Sequence, residues 1–508
     1  MIYAAVLLVA AWSTHFAVLI NDVFALRWQA EHLSISHPES FYNGFFPIGY
    51  PLLLRAASLT GNPVLIMILI QIALTPLYAA LVYRLIVRLV PGRAALIAMP
   101  FALFTPPVIH AIFSATPDFL AALFVLAGML LLTRAGRWNF LLSGTCVGVG
   151  CIFRSHVLVL VLTLALAMLL FHKGMRLRTF FGFCLGAMPF VIAQGLVQVW
   201  SGHGFFENAQ SFNIWRAMHG MDWSNPPALA HASAAEVILQ NPALFFSSAG
   251  NWLVHYWFYL APFVAVIALG RWPVRWRAIL IHPQRELLAA AALMYLAMMS
   301  IGGSISAFTT VLPMDAACFA SVMQSALGSK LELRRWFIPL VASMCWIAGL
   351  TGLLFYSAQE AKRIGDYSHI ERVLGVRSSI GGPEGSRDAD TGEPSLETDR
   401  RPIDPRQIYT DDYDFYFPGL RYQTPRTFGG WGEVGLADYL RDFPHIRNSS
   451  ANMEHDDLVH NGIAWAVYRV PPYDPRGYQS VRGDTTLFRL MYRTRSHEIY
   501  RVEGGERK

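Results

Sequence analysis

Residues 141–166 read LLSGTCVGVGCIFRSHVLVLVLTLAL, two apolar segments separated by a short polar connection. The segments extend to about 138–153 and 155–172, long enough for two apolar helices. The connection between them places Arg154 and His156 at the turn. This stretch therefore predicts an antiparallel helical hairpin in a membrane, with a cation where the chain reverses.

The rest of the chain has the same apolar character. Its 508 residues are 54% hydrophobic and only 15% charged, whereas soluble globular chains are about 25% charged. Runs of about 20 apolar residues are sufficient to cross a hydrocarbon core of about 30 Å. We therefore predict an α-helical polytopic membrane protein with about eleven spanning helices. They lie near 2–20, 63–90, 94–113, 117–134, 138–153, 155–172, 178–200, 250–270, 286–302, 304–328 and 336–356.

The basic residues of the loops predict which side of the membrane each loop faces. Up to residue 356, one set of loops carries only four, Arg27, Arg55, Arg154 and Arg216. The alternate set carries Arg84, Arg88, Arg93, Arg134, Arg137, Lys173, Arg176, Arg178, Arg271, Arg275, Arg277, Arg285, Lys330, Arg334 and Arg335. Because cytoplasmic loops are enriched in Lys and Arg, the richer set is assigned to the cytoplasm. The two long loops, 21–62 and 201–249, and the C-terminal region are then expected on the outer face.

Composition excludes several other classes of protein. The net charge of +6 follows membrane topology, so it does not indicate nucleic-acid binding. The five cysteines all lie in apolar runs, which argues against a disulfide framework or a thiolate metal site. No basic segment precedes the first apolar run, so helix 2–20 is expected to stay in the mature protein. We expect a bacterial inner (plasma) membrane location.

The composition changes after the last predicted helix, which divides the chain into domains. Residues 1–356 form the predicted transmembrane domain, and 357–407 form a linker rich in Gly, Pro, Ser and charge from residue 376 onward. Residues 408–508 predict a small outer-face α/β domain. Its strand-like segments are 462–470, 485–494 and 497–502, and a helix is predicted over 434–443.

The first outer loop combines a lone acid with two short apolar helices. Residues 23–33 and 46–59 are too short to span and fit helices lying in the membrane interface, which we call the shelf. Asp22 precedes the shelf, where partial burial would raise its basicity toward that of a general base. A simple helix stop in the headgroup region explains Asp22 equally well from its position alone.

Two further charged residues lie at the next outer turns. Asp118 follows the turn SATP (114–117) and opens a helix, where an acid also suits the helix dipole. Arg154 is the only cation on its connection, an arrangement that a positive-inside topology avoids unless an anion requires it. Two acids and an arginine at neighbouring turns predict a site for a substrate with a phosphate and a transferable group.

Four of these segments in order resemble the GT-C superfamily of integral-membrane glycosyltransferases, of the protein-mannosyltransferase and aminoarabinose-transferase types. They are Asp22 after the first helix, YNGFFPIGYPLLLRAASLTGN (42–62), ATPDFLAALFVLAGMLLL (115–132) and residues 141–166. The resemblance covers residues 1–200 well and continues more weakly through 204–257. A late cation of the family is missing from TTVLP (309–313), and Phe45 and Phe46 occupy the place of a lysine that some members carry.

The resemblance implies an activity and assigns roles to residues. The donor is a polyprenyl-phosphate-linked sugar, and the acceptor is a hydroxyl on a lipid, glycan or protein at the outer face. Asp22 and Asp118 are then the catalytic acids, and Trp215 and Arg216 are acceptor-loop candidates. Arg154, Arg55 and His156 are the donor-phosphate partners. No metal ligand is assigned, and a divalent cation is left open.

Two other readings remain at this point. A transporter predicts internal repeats and polar residues near the midplane, but no repeat is visible and Asp315 is the one ionisable residue deep in a predicted helix. A non-catalytic protein with the same fold is consistent with the missing cation in 309–313. Convergence of Asp22, Asp118 and Arg154 in one site distinguishes the glycosyltransferase from both.

Overall fold

The computed structural model describes two parts of the chain, an N-terminal part made of helices and a C-terminal part that contains a β-sheet. The described residues are 2–13, 26, 29–31, 33–42, 46–60, 63–89, 99–100, 102–104, 106–134, 136–171, 176–206, 214–215, 217–218, 234–255, 343–344, 346–355, 358, 370, 374, 407–410, 422–423, 458–459, 462–470, 479, 481–494 and 497–504. Every structural statement below concerns these residues.

The N-terminal part consists of helices that mostly coincide with the predicted apolar segments. They are α1 (Ile2–Ser13), α2 (Gly49–Ser58), α3 (Pro63–Leu89), α4 (Pro106–Phe113), α5 (Asp118–Leu132), α6 (Arg137–Phe153), α7 (Val157–Phe171), α8 (Arg176–Trp200), α9 (Ala234–Gln240), α10 (Pro242–His255) and α11 (Trp346–Phe355). A 3-10 turn covers Pro38–Phe41. The shelf helix predicted over 46–59 is present as α2. The segments 286–302 and 304–328 lie outside the described residues.

The prediction of one continuous helix over 94–113 is wrong, because the chain bends within this segment. The chain is helical at 99–100 and 102–103, bends at Phe104, and begins a new helix at Pro106. Pro106 and Pro107 lack backbone N–H groups, so they cannot continue the preceding helix but suit the first turn of the next one. Prolines therefore determine this boundary, although the apolar composition continues across it.

Two described helices, Pro63–Arg88 and Leu177–Trp200, are long and apolar enough to cross a membrane. Helix α8 also presents apolar residues outward at helical spacing, including Leu177, Phe181, Leu185 and Leu196, each at least 58% exposed. An apolar stripe of this size is expected to face lipid. The count of eleven spanning helices stays a prediction.

Helices α6 and α8 pack face to face through glycines. Each carries a G-x-x-x-G spacing, at Gly144 and Gly148 in α6 and at Gly182 and Gly186 in α8. A Cβ at Gly144 would lie 1.9 Å from the Phe183 carbonyl oxygen. A Cβ at Gly186 would lie 2.1 Å from that of Leu141. Small residues allow such close backbone approach between membrane helices, so these glycines fix the position of α6 and of the turn that follows it.

Gly144→Ala should therefore destabilise the protein. The added methyl group cannot be accommodated unless α6 and α8 separate, and overpacking of this kind costs about 1–3 kcal/mol. Gly250→Ala in α10 is the matched control because no atom of the described residues lies within 4 Å of a Cβ placed there, and alanine favours a helix. Thermal unfolding of both purified variants in detergent gives the comparison. Equal unfolding temperatures would contradict the close packing of α6 and α8.

The segment before α2 is fixed to the ends of α6 and α8. A Cβ at Gly49 would lie 2.7 Å from the Ile152 carbonyl oxygen, so α2 begins directly against α6. Ser201 Oγ donates a hydrogen bond to the Pro38 carbonyl (2.9 Å), and the Ile48 N–H donates one to Gln194 Oε1 (3.4 Å). These contacts hold the shelf over the end of the helices at which Asp118 and Arg154 lie, which we call the Asp118 end.

The C-terminal part contains a five-stranded sheet in the order β2-β1-β3-β5-β4. The strands are β1 (Ile408–Thr410), β2 (Tyr422–Gln423), β3 (Trp465–Arg469), β4 (Phe488–Arg493) and β5 (His497–Val502). β1 pairs in parallel with β2 and β3, whereas β5 is antiparallel to β3 and β4. The three predicted strand segments are confirmed as β3, β4 and β5, while the helix predicted over 434–443 lies outside the described residues.

One face of the sheet has a small apolar core. Ile408, Val467 and Ile499 pack there with Ile370 and Leu374. The last two residues belong to the predicted linker 357–407, ahead of its Gly- and Pro-rich stretch, so the start of that segment contributes to the core of the sheet. The boundaries 1–356, 357–407 and 408–508 stay predictions.

Candidate active site

Asp118 and Arg154 form a buried ion pair at the Asp118 end. Asp118 is the first residue of α5, and Arg154 leaves the end of α6 with an extended backbone. Arg154 Nε donates to Oδ1 of Asp118 at 2.8 Å, and Arg154 Nη2 donates to Oδ2 at 2.7 Å. The two residues are 1% and 7% exposed. The predicted convergence of these two residues is therefore observed, while Asp22 lies outside the described residues.

This geometry uses both oxygens of the Asp118 carboxylate. Parallel N–H···O bonds from a guanidinium give a strong, directional pair, and removing either partner leaves an uncompensated buried charge. A carboxylate engaged in this way is poorly placed to accept a proton from a third group. The pair is better suited to hold the Arg154 guanidinium in one orientation.

His156 lies beside this pair in the turn between α6 and α7. It is 9% exposed, and among the described residues its buried Nε2 has no hydrogen-bond partner. Burial and the positive charge of Arg154 lower the pKa of His156 to about 4, and the Asp118 carboxylate opposes this shift only partly. The imidazole is therefore neutral at pH 7, with one ring nitrogen available for a ligand.

The lowered pKa of His156 predicts a pH dependence of stability. Its folded pKa of about 4 lies below the ordinary value of 6.5, so the unfolded chain binds the proton more readily. The associated stability is present above pH 6.5 and is lost as the pH falls toward 4. Between pH 7 and pH 5 the loss is about 2 kcal/mol.

His156→Gln cannot titrate, so its unfolding temperature should fall less than that of the wild type over this interval. Thermal unfolding of both proteins in the same detergent at pH 7 and pH 5 measures the difference. The wild type and the variant have all other titrating groups in common, so any difference between their pH profiles comes from His156. Parallel pH profiles would show that His156 is not held neutral by burial.

A second set of polar residues joins the ion pair to the shelf. Gln71 in α3 donates through Nε2 to the Tyr50 hydroxyl (3.2 Å) and to the Thr116 carbonyl (3.0 Å). The hydroxyls of Ser114 and Thr116 lie 2.8 Å apart. All four residues are at most 2% exposed. This network connects α2, α3 and the turn before Asp118.

Gln71 and Tyr50 were not predicted from the sequence to belong to this cluster. Gln71 is an amide within the otherwise apolar segment 63–90, and a polar residue in a membrane helix generally faces other protein groups. That signal alone could have assigned Gln71 to the helix interior. The partner Tyr50 could not have been identified from the sequence, because it depends on how α2 folds back over α3.

Phe46 gives a physical role to one departure from the GT-C pattern. Its ring centroid lies 5.7 Å from Cζ of Arg154, and the side chain is fully buried. An aromatic face attracts a guanidinium at this distance, whereas a lysine at this position would repel Arg154. In this chain the shelf therefore contributes an aromatic contact to Arg154.

Arg55 and Trp215 make their described contacts outside this cluster. Arg55 is exposed near the end of α2 and donates from Nη1 to the Glu31 carbonyl at 3.1 Å. Trp215 packs on the apolar cluster of Ile214, Met218 and Phe245. Arg216 falls outside the described residues. Their roles in phosphate and acceptor binding stay predictions.

The described residues contain no group of three His, Cys, Asp or Glu side chains that could hold a metal ion. Cys146, Cys151 and Cys184 lie in α6 and α8 and are free thiols. They pack as small side chains within apolar helices, which is what their positions in the sequence predict. A role for a divalent cation stays open to experiment.

The segment that contains this cluster matches a known family model. Residues 46–198 match the family model of dolichyl-phosphate-mannose-protein mannosyltransferases. The matched segment contains Phe46, Gln71, Asp118, Arg154 and His156. The structure is similar to ArnT from Cupriavidus metallidurans, solved with undecaprenyl phosphate, at 12% sequence identity and a TM-score of 0.52. That match covers 100% of this chain and 98% of ArnT.

The resemblance to the GT-C superfamily is confirmed. The ArnT match shows the fold. Together, this fold and the family-model match support a membrane glycosyltransferase of the GT-C type. An oligosaccharyltransferase from Archaeoglobus fulgidus, solved with zinc and sulfate, also matches the chain. Its identity is 13% and its TM-score 0.46, over 90% of this chain and 64% of that one. No curated protein sequence matches the chain.

Proposed function

We propose that this GT-C-type protein transfers a sugar from a polyprenyl-phosphate donor to an acceptor hydroxyl at the outer face of the membrane. Two comparisons support the donor class. The matched family model is described by a dolichyl-phosphate sugar donor, and the ArnT structure holds undecaprenyl phosphate. The outer-face location rests on the distribution of Lys and Arg among the loops.

The reaction requires two kinds of assistance from the protein. The acceptor oxygen bonds to the anomeric carbon as the bond from that carbon to the phosphate oxygen breaks, with inversion in a single displacement. A carboxylate that takes the hydroxyl proton raises the reactivity of the acceptor. A fixed cation stabilises the charge that develops on the departing polyprenyl phosphate. We assign the first role to Asp22 and the second to Arg154.

Asp118 is assigned a positioning role in place of a catalytic one. Its two oxygens accept hydrogen bonds from Nε and Nη2 of Arg154, which fixes the orientation of the guanidinium. Phe46 packs against the same guanidinium. A cation held from two sides loses little conformational freedom when it binds the phosphate, which favours both donor binding and catalysis.

The unpartnered Nε2 of His156 is the observation that carries this proposal. A buried polar atom without a partner costs free energy, and a ligand that hydrogen-bonds to it recovers that cost. The atom lies beside a held arginine, within the segment that matches the mannosyltransferase model. A neutral imidazole can donate a hydrogen bond to a phosphate oxygen without adding charge to the site.

Reconstitution into proteoliposomes tests the function. Incubation with a polyprenyl-phosphate-linked sugar and an acceptor should release free polyprenyl phosphate in proportion to the glycosylated product. A transporter would move the sugar or lipid without releasing polyprenyl phosphate. A non-catalytic protein of this fold would bind the donor and release nothing.

A further inference from the structure

Gln71 is a buried amide in the apolar N-terminal half of α3. Its Nε2 donates to the Tyr50 hydroxyl and to the Thr116 carbonyl. Its Oε1 is also buried, and within the part of the chain that the structure describes it has no hydrogen-bond partner. A buried acceptor without a donor costs free energy. The role of this amide therefore lies in the two hydrogen bonds that its nitrogen donates.

The two acceptors fix the orientation of the Gln71 amide. The Thr116 carbonyl oxygen lies 3.0 Å from Nε2 and can only accept, so the nitrogen must face it. The Tyr50 hydroxyl lies 3.2 Å from the same nitrogen. Neither a carboxyl group nor an aliphatic side chain can donate two hydrogen bonds from one atom. A primary amide is thus well suited to join α2 to the turn before α5.

The bond to Thr116 holds the chain just before Asp118. Thr116 precedes Asp118 by two residues. On the other side of Asp118, the ring of Phe119 packs on Tyr78 with a centroid separation of 5.4 Å. Tyr78 follows Gln71 by seven residues and therefore lies on the same face of α3. One face of α3 thus contacts the chain on both sides of Asp118, which restrains the position of its carboxylate.

The bond to Tyr50 holds the shelf beside Arg154. Tyr50 is fully buried in the first turn of α2. Its neighbour Gly49 lies so close to α6 that a Cβ on it would be 2.7 Å from the Ile152 carbonyl oxygen. Phe46, four residues before Tyr50, packs its ring against the Arg154 guanidinium. A hydrogen bond from α3 to Tyr50 therefore restrains the segment that covers Arg154.

We propose that Gln71 is a positioning residue of the transfer reaction. Through Thr116 it restrains the turn that carries Asp118. Through Tyr50 it restrains the shelf that covers Arg154. A guanidinium that must be reordered at each turnover binds the donor phosphate less well and stabilises the leaving group less well. This inference rests on the proposed function, because that function assigns Arg154 to the donor phosphate.

Hydrogen exchange of α2 tests the contact without requiring turnover. Gln71→Leu fills a similar volume but donates no hydrogen bond, so the backbone amides of α2 should exchange about tenfold faster. Thr75→Val is the matched control because Thr75 is equally buried, one turn further along α3. Its hydroxyl donates to the Ile72 carbonyl of the same helix (2.7 Å), so α2 should exchange as in the wild type. Equal exchange of α2 in the two variants would overturn the proposal.

Steady-state kinetics test the effect on the reaction. Gln71→Leu should lower kcat/KM by about tenfold and raise the KM of the polyprenyl-phosphate sugar, because Arg154 is less well ordered. Partial loss of folded protein would lower the apparent kcat and leave that KM unchanged. Tyr50→Phe is the milder second variant, since it removes one acceptor and leaves Gln71 in place. Because both changes break the same hydrogen bond, the double variant should lose clearly less than the product of the two single losses.

The possible outcomes separate the positioning role from the proposed function. Wild-type KM and kcat in Gln71→Leu, or fully multiplicative losses in the double variant, would overturn the positioning role alone. A loss of the same size in Thr75→Val would do so as well, since it would reflect a general effect on α3. Absence of transfer by the wild type would instead overturn the proposed function, and the exchange measurement would still decide whether Gln71 holds the shelf.

Discussion

Arg154→Met alone is expected to destabilise the protein by about 3–5 kcal/mol, because it leaves the buried Asp118 carboxylate without a cation. Methionine preserves most of the length of the side chain, so lost volume contributes little. The double variant Asp118→Leu and Arg154→Met should recover most of the stability, since both buried charges are removed together. The apparent unfolding temperatures of the purified proteins in detergent measure these effects.

Arg178→Met provides the matched control for this experiment. Arg178 is an exposed arginine in the first turn of α8, where loss of the charge is expected to change stability by less than about 1 kcal/mol. If the single Arg154→Met variant is as stable as this control, the buried Asp118 carboxylate does not need the Arg154 guanidinium to stabilise it. If the double variant is as unstable as the single one, the loss of stability comes from altered packing and not from an unpaired buried charge.

The double variant also separates the structural role of Arg154 from its proposed chemical role. If the guanidinium contacts the donor phosphate, a well-folded double variant should bind the donor more weakly and turn over more slowly, because the contact acts on both the ground state and the transition state. If that variant transfers sugar at the wild-type rate, the ion pair only joins α5 to α6, and the phosphate site lies elsewhere.

The Asp118–Arg154 pair shows how far sequence reasoning reaches in this protein. Alternation of apolar helices and short turns predicts that both residues lie on the same side of the membrane, and the hairpin connection predicts that α5 and α6 are neighbours. Hydropathy contains no information on rotation about a helix axis, however, so the sequence could not show that the two side chains bond to each other. The sequence therefore predicts a catalytic role for Asp118, and the hydrogen bonds to Arg154 are the reason for proposing a positioning role.

Other features were present in the sequence as weaker signals. The paired G-x-x-x-G spacings at 144–148 and 182–186 indicate close helix packing, although two such motifs do not identify each other as partners. The prolines at 106 and 107 mark the break in the segment 94–113. The strands β3, β4 and β5 follow from the alternation of apolar and polar residues. The contact of Phe46 with Arg154 depends on the fold of the shelf and has no local signal.

Asp22→Asn is expected to have the largest effect on turnover. Asparagine keeps the shape and the hydrogen-bonding capacity of the side chain but has no basic oxygen to accept the hydroxyl proton. Loss of a general base lowers the rate by about 10²-fold or more. Donor binding should be nearly unchanged, since the proposed phosphate contacts come from Arg154 and His156. Sugar transfer and donor binding by the purified variant measure the two effects separately.

Glu31→Gln is the appropriate control for Asp22→Asn. Glu31 is an exposed acid in the same outer loop, so its replacement removes an equal charge from the same face of the protein. Its transfer rate should stay within about twofold of the wild type, because solvent and salt screen the charge of an exposed side chain. A parallel loss in both variants would indicate a general electrostatic effect of the loop. Wild-type transfer by Asp22→Asn would leave Asp22 as a helix stop, and the base would have to come from another outer-face residue.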